Sequence, residues 1–589
     1  HREVAERRAA AEALGTLGAC AEPHIPALML CLRDNDWRVR VDVAQAIAQL
    51  AHCCAKTLLA HSDELAVQLC DDEWPVRVAV AETLSELASR SDGDNNPVAA
   101  HIHCLVARLD DEQEDVRRAA AQALVAIGGP SVALVIPLLT HEDANVRRLA
   151  AESIGNIAVA IPAQAAEAAE PLAAGLRDDT STVRSAVAVA LGQMGAPAAD
   201  AAAKYLQDED DDVRLRVAEV FGVLGMFAAP HCGALAMLLA DDDADVRRAA
   251  IEAMGEIGPA ATAHASALAA CLRDEDEDVC CAAAASLGRL GAAAAPFSAD
   301  LAACMGHDCG RLRELAAAAL SGAGEAAAKY IAGCLGDHRS EVRRAATEAL
   351  GKLGNSALGR APQLAAGLRD GDVVVRRAAA EALRALGVGA ELHLADIVLS
   401  LEDADAEVRR SAALALGDIF GGAAVAHADA LARHLQEDRA PDVRWACARA
   451  LGLLGGETVA CYEADLSARM TDSDWSVRRA VVQAFGSLRI LAKPQQVVAI
   501  VHRLRRDPHF EVRRVAAEAL GVIGAASPTE AGEALADVAL ADASEVVRLA
   551  AAEALLALAP EAAPSMVAGE SGGTGEDSDE GELGDLLPM

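Results

Sequence analysis

A chain of 589 residues is too long for one globular core, so either several domains or one elongated repetitive body is expected. Hydrophobic residues make up 53% and exclude global disorder, while no stretch approaches the roughly 20 unbroken apolar residues that a membrane-spanning helix needs. A net charge of −37, with acids outnumbering Lys and Arg 89 to 52, argues against nucleic acid, whose phosphates require clustered cations, and favours a basic protein partner. Fifteen cysteines without disulfide-like spacing point to a reducing compartment: the chain reads as soluble and cytoplasmic, with nucleus or an organelle matrix as alternatives. It begins at His1 inside a helical pattern, so a first repeat truncated at the amino end is expected.

The predicted elements recur in chain order. With Val39 as anchor, equivalent positions are Glu6, Val76, Val116, Val146, Val183, Val213, Val246, Val279, Leu312, Val342, Val375, Val408, Val443, Val477, Val512 and Val547. Those seventeen anchors span 541 residues, about 34 per unit, the period of stacked supersecondary repeats. Each unit opens with a short helical pattern, as in "PALMLCLRD", and continues with a stronger one, typified by "EVRRAATEALGKLG" from Glu341 to Gly354. There Val342, Ala346, Ala349, Leu350 and Leu353 share one apolar stripe. Gly354 ends the helix, whereas Gly351 lies inside it and is tolerated where a neighbouring helix comes very close.

Five residues before the anchor stands an aspartate in fourteen of the seventeen units, His1, His141 and His307 being the exceptions; one residue after it stands an arginine in sixteen, only Cys280 breaking the series. Such a register can pair within and between neighbouring repeats as a ladder, and acids near a helix N-terminus are favoured by the helix dipole. "DSDWSVRRAVVQAFGSL" and "DGDVVVRRAAAEALRALG" resemble the HEAT-repeat family, the short units being most similar to those of bilin lyases. The resemblance implies an all-α fold, a right-handed α-solenoid superhelix of about 17 helical hairpins over residues 1–558, with second helices lining the inner face.

Trp37, two positions before its anchor, is expected in the turn between paired helices, and Trp74, Trp475 and Phe510 hold the same place in their repeats. Aligned turns would set these rings, with Arg38, along one ridge as partner anchors, or each ring would plug its own helix pair. "DWRVR" is similar to a turn of the protein phosphatase 2A scaffold subunits, which implies a phosphatase catalytic subunit as partner. The same ridge is acidic in its middle, at Asp210, Asp211, Asp212, Asp243 and Asp276, which suits a basic segment of a carried protein, as in import receptors, or serves as a solvated cap run.

Sequence chemistry offers little catalysis. Cys280 and Cys281 occupy the usual Arg-Arg positions and face about 100° apart on a helix. "CMGHDC" places Cys304, His307 and Cys309 at a loose ligand spacing; losing the ladder arginine in repeat nine makes that junction a candidate flexing point. Deoxyhypusine hydroxylases, also HEAT proteins, hold iron with several His-Glu pairs, and only His141-Glu142 is present here. "GDNNP" is read as a loop expansion. Residues 559–589, with eight acids and no base, read as an acidic disordered tail. The expectation is a non-catalytic protein-interaction scaffold without cofactor or metal, monomeric within a hetero-complex, of phosphatase 2A type; the alternatives are a carrier of basic cargo or a bilin-lyase-like or hydroxylase-like enzyme.

Overall fold

Many repeats begin their second helix with two linked side-chain turns. In the second repeat the Asp34 carboxylate accepts the N–H of Asp36 at 2.9 Å, and Asp36 in turn accepts the N–H of Arg38 at 2.9 Å, capping a helix that starts at Trp37. Asp241 and Asp243 do the same for Ala244–Ile257. A cap of this kind contributes about 1 kcal/mol by satisfying a backbone donor the helix cannot. The expected turn position of Trp37, Trp74, Trp475 and Phe510 is therefore corrected by one step: all four are the first residue of a helix.

The computed structural model describes residues 3–91, 96–418 and 422–558, so most of the "GDNNP" loop and the acidic tail lie outside the described residues. Among them there are helices and no strand. Two compact units are formed, residues 1–334 and 335–589. Within the first, second helices from Trp37–Leu59 through Ser181–Met194 to Gly310–Gly322 each pack on the next. Within the second the same holds from Ser340–Leu353 to Glu545–Leu558. Both units are all-α solenoids.

The buried stripe is the predicted one. Val342, Ala346, Ala349, Leu350 and Leu353 are all buried, as are the anchors Val39, Val76, Val116 and Val512. Each fully buried Val or Leu contributes about 1.5–3 kcal/mol, and alanine lets the helix axes approach. Gly351 shows how closely: a Cβ there would lie 3.0 Å from the Cα of Ala382 on the next second helix. Gly354, at φ +52°, takes a backbone conformation that a side chain would strain.

The first segments depart from the expected short helices. In the first unit many are broken into 3₁₀ and α pieces, such as Gly18–His24 followed by Ile25–Cys31, where Pro23 removes a backbone donor. Near the end of the second unit Pro494–Arg506 and Pro528–Ala541 are continuous, because the proline stands at the first position. The most apolar helical run, Asp211–Ala240, is likewise no single rod, since Gly225 at φ +52° turns the chain between two repeats.

Candidate partner-binding site

The Asp-Arg register becomes a ladder. Arg40 donates Nη1 to the Asp34 carbonyl of its own repeat at 2.8 Å, and Nε and Nη2 to both carboxylate oxygens of Asp71 in the next repeat at 2.7 and 2.6 Å. Arg247 with Asp274 and Arg478 with Asp507 repeat this geometry. The last pair is almost dry, at 7% and 2% exposure, a burial tolerated because every nitrogen of the fork has an acceptor. Burial alone would push the Asp507 carboxyl up; hydrogen bonds from Arg478 and the His509 N–H overcome it and hold it below the usual carboxylate range.

Within the first unit three rungs depart from the rule. Arg184 pairs with Asp212 at 2.7 Å, while Asp208 is taken by Arg177 at 2.5 Å. His141 keeps the turn, its Nδ1 accepting the Asp143 N–H at 3.1 Å, but an imidazole has no second acceptor for a guanidinium, and the buried Nε of Arg117 has no hydrogen-bond partner. Between repeats nine and ten both partners are replaced: the Cys280 thiol donates to the Asp274 carbonyl at 3.3 Å, and the facing position is His307, whose Nδ1 accepts the Cys309 N–H at 3.1 Å.

The aromatic residues divide between the units. In the first, Trp37 is partly buried with the Arg38 guanidinium 5.2 Å from its ring centre, and Trp74 is 42% exposed. In the second, Trp475 and Phe510, at 37% and 42% exposure, are joined by a residue the sequence reasoning missed: His509 stacks on Trp475 at 3.9 Å and 6°, and on Phe510 at 5.2 Å. Neither ring is a core plug. Trp445, the fourth tryptophan, was also missed; it takes an arginine position of the second helix and meets Arg449 at 5.8 Å.

The predicted acidic residues are partly committed to the backbone. Asp210, Asp243 and Asp276 cap their helices, and Asp212 is tied to Arg184; Asp211 is exposed. The accessible acidic surface begins beyond them, on the face made by second helices. An open groove of about 830 Å³ runs across repeats seven to ten, lined by Glu219, Asp245, Glu252, Glu256 and Asp278 against Arg248, Arg289 and Arg311. Its floor is small, with Ala218, Gly222, Ala249, Ala253 and Ala282. The signal was in the sequence, at anchor-plus-six positions such as Glu219 and Glu252, but only stacking shows that successive helices bring them together.

No grouping of three or more His, Cys, Asp or Glu among the described residues is arranged for a metal ion. Cys304 donates instead to the Leu272 carbonyl, and His307 is a turn acceptor.

Comparisons agree with this architecture. The family model of HEAT repeats matches residues 103–191, 132–222, 233–321, 298–384, 394–460 and 463–556, and a single HEAT repeat matches 24–54. No curated protein sequence matches the chain. Among solved structures, a Kap121p mutant is similar at 13% identity and TM-score 0.56, covering 91% of this chain and 68% of that one. Kap121p bound to Ste12p gives 14% identity and 0.55 over the same shares, and Kap121p bound to RanGTP 14% and 0.53 over 92% and 73%. At such identities the likeness is one of fold, and it brings no support to the phosphatase-scaffold resemblance of Trp37 and Arg38. With the repeat model spanning most of the sequence and the Asp-Arg ladder joining hairpin to hairpin, the chain belongs to the HEAT-repeat family.

Proposed function

We propose that this HEAT-repeat scaffold is a non-catalytic carrier that takes a Lys- or Arg-rich segment of a protein partner along the second-helix face of repeats seven to nine. The groove there supports this most directly, with five carboxylates against three guanidinium groups over a floor of alanine and glycine. Its cations are already engaged: Arg248 with Asp245 at 3.0 Å, Arg289 with Glu256 at 3.0 Å and Arg311 with Asp278 at 3.3 Å. Arg216, outside the lining, holds Glu219 at 2.7 Å, and with it counted the balance is still anionic and faces solvent, where it attracts basic segments and raises their encounter rate. The exposed rings of Trp74, Trp475 and Phe510, and Trp37 with Arg38, are proposed as secondary anchors for protein partners, large rings beside arginine being suited to that role.

Titrating the full chain with a fluorescent Lys/Arg-rich peptide tests the proposal. Binding is expected to weaken about tenfold or more between 0.05 and 0.3 M salt, as screening of exposed charges requires. The triple variant Asp245→Asn, Glu252→Gln, Glu256→Gln should lose most of it while leaving the caps at Asp210, Asp243 and Asp276 intact. Equal affinity of wild type and variant at low salt would reject the groove as the site.

A further inference from the structure

The rung missing between repeats nine and ten coincides with a second irregularity. Cys281, 2% exposed, stands two residues after the anchor Val279 on the helix Glu277–Arg289. Cys309, partly exposed, precedes the helix Gly310–Gly322 as its cap residue, and its side chain makes no capping bond. These two positions face one another across a repeat boundary: their equivalents in repeats twelve and thirteen, Arg377 and Asp405, meet at 3.6 Å. The helix carrying Cys281 packs directly on the helix that Cys309 precedes, so the two thiols are neighbours across the boundary. Cys280, adjacent in sequence to Cys281, is turned to the Asp274 carbonyl.

We propose that Cys281 and Cys309 form a reversible disulfide that cross-links repeats nine and ten at the boundary where the Arg-Asp ion pair is absent. A small-molecule disulfide of the glutathione class is the oxidant. The Cys309 thiolate, the more accessible, attacks one sulfur of the oxidant and releases a first equivalent of thiol, leaving a mixed disulfide. The Cys281 thiolate then attacks the Cys309 sulfur, forming the protein disulfide and releasing the second equivalent; both protein protons end on the two reduced small thiols. Burial and the neighbouring Cys309 push the Cys281 thiol up to about 11, so the second step is slow at neutral pH and accelerates as pH rises. Cys53 and Cys54, at 3.6 Å, are adjacent in sequence and would have to close a strained small ring.

The full-length protein is incubated with oxidised glutathione, its free thiols are alkylated, and the unreduced digest is mapped by mass spectrometry. A Cys281–Cys309 link is expected as the main intramolecular disulfide, reversed by dithiothreitol and formed several-fold faster at pH 9 than at pH 7. In Cys281→Ser the glutathione adduct should persist on Cys309, and in Cys309→Ala, at the accessible position, the link should vanish with the helical circular dichroism retained. Amide exchange in Gly310–Gly322 should slow several-fold on oxidation of the wild type alone. A stable Cys309 adduct in the wild type equal to that in Cys281→Ser, or oxidation confined to Cys20, Cys53, Cys70, Cys104 and Cys461, would overturn the proposal.

Discussion

Arg489 is the one described non-glycine residue with positive φ, at 47°. It stands where other repeats place the glycine that ends a second helix, such as Gly354, Gly387 and Gly455. A side chain in that region costs roughly 1 kcal/mol relative to glycine. Arg489→Gly is accordingly expected to raise stability by about 1 kcal/mol, visible as a higher urea midpoint at unchanged slope; a lowered midpoint would mean that the side chain makes a compensating contact. The tryptophans teach the complementary lesson at this scale. Their shared position was legible in the sequence, whereas the His509 bridge between Trp475 and Phe510 was not, because it joins residues 34 apart in sequence.

Among elements, the unit of cohesion is the bidentate arginine reaching from one second helix to the start of the next. The rung between repeats nine and ten lacks both members, with Cys280 and His307 in place of arginine and aspartate. Cys280→Arg alone would bury a guanidinium against an imidazole, and His307→Asp alone would leave a carboxylate without its cation. The double variant is expected to restore the rung and to be more stable than the sum of the single changes by about 1–2 kcal/mol, measured as a double-mutant cycle in urea. Additive effects would show that the boundary geometry no longer admits the pair. Broken first segments belong to the same scale: Pro23 inside one segment and Pro494 at the start of another predict opposite outcomes from the same residue type, and position decides.

Across the whole molecule the ladder makes stability depend on pH in one direction. At Asp370 and Asp542 the hydrogen bonds from Arg343 and Arg513 are the largest influence and hold the carboxyls below their usual range. A carboxyl lowered on folding contributes its stabilisation in full above the unfolded value, near pH 4, and loses it as pH falls through the folded value. Urea midpoints are therefore expected to be flat from pH 7 to about 5 and to fall steeply below about 4. Adding 0.5 M salt at pH 7 should change them little, because the pairs are bidentate and partly buried, while the same salt should abolish peptide binding to the exposed groove. A midpoint unchanged at pH 3 would remove the ladder from the account of stability.

The sequence by itself determined the repeat, its period, the buried stripe and the Asp-Arg register, since these are local patterns that every unit states again. Gly351 could be assigned to a close helix approach for the same reason. Tertiary structure alone decided how the acidic residues are placed: Asp210, Asp243 and Asp276 turned out to cap helices, and Glu219, Asp245, Glu252 and Glu256 to share one groove. It also turned Cys280 to the Asp274 carbonyl and set the helix of Cys281 against the one that Cys309 precedes. The physical reason is that a surface site in a solenoid is assembled from one or two side chains per repeat. Their proximity is created by stacking between hairpins, a distance that no single repeat encodes.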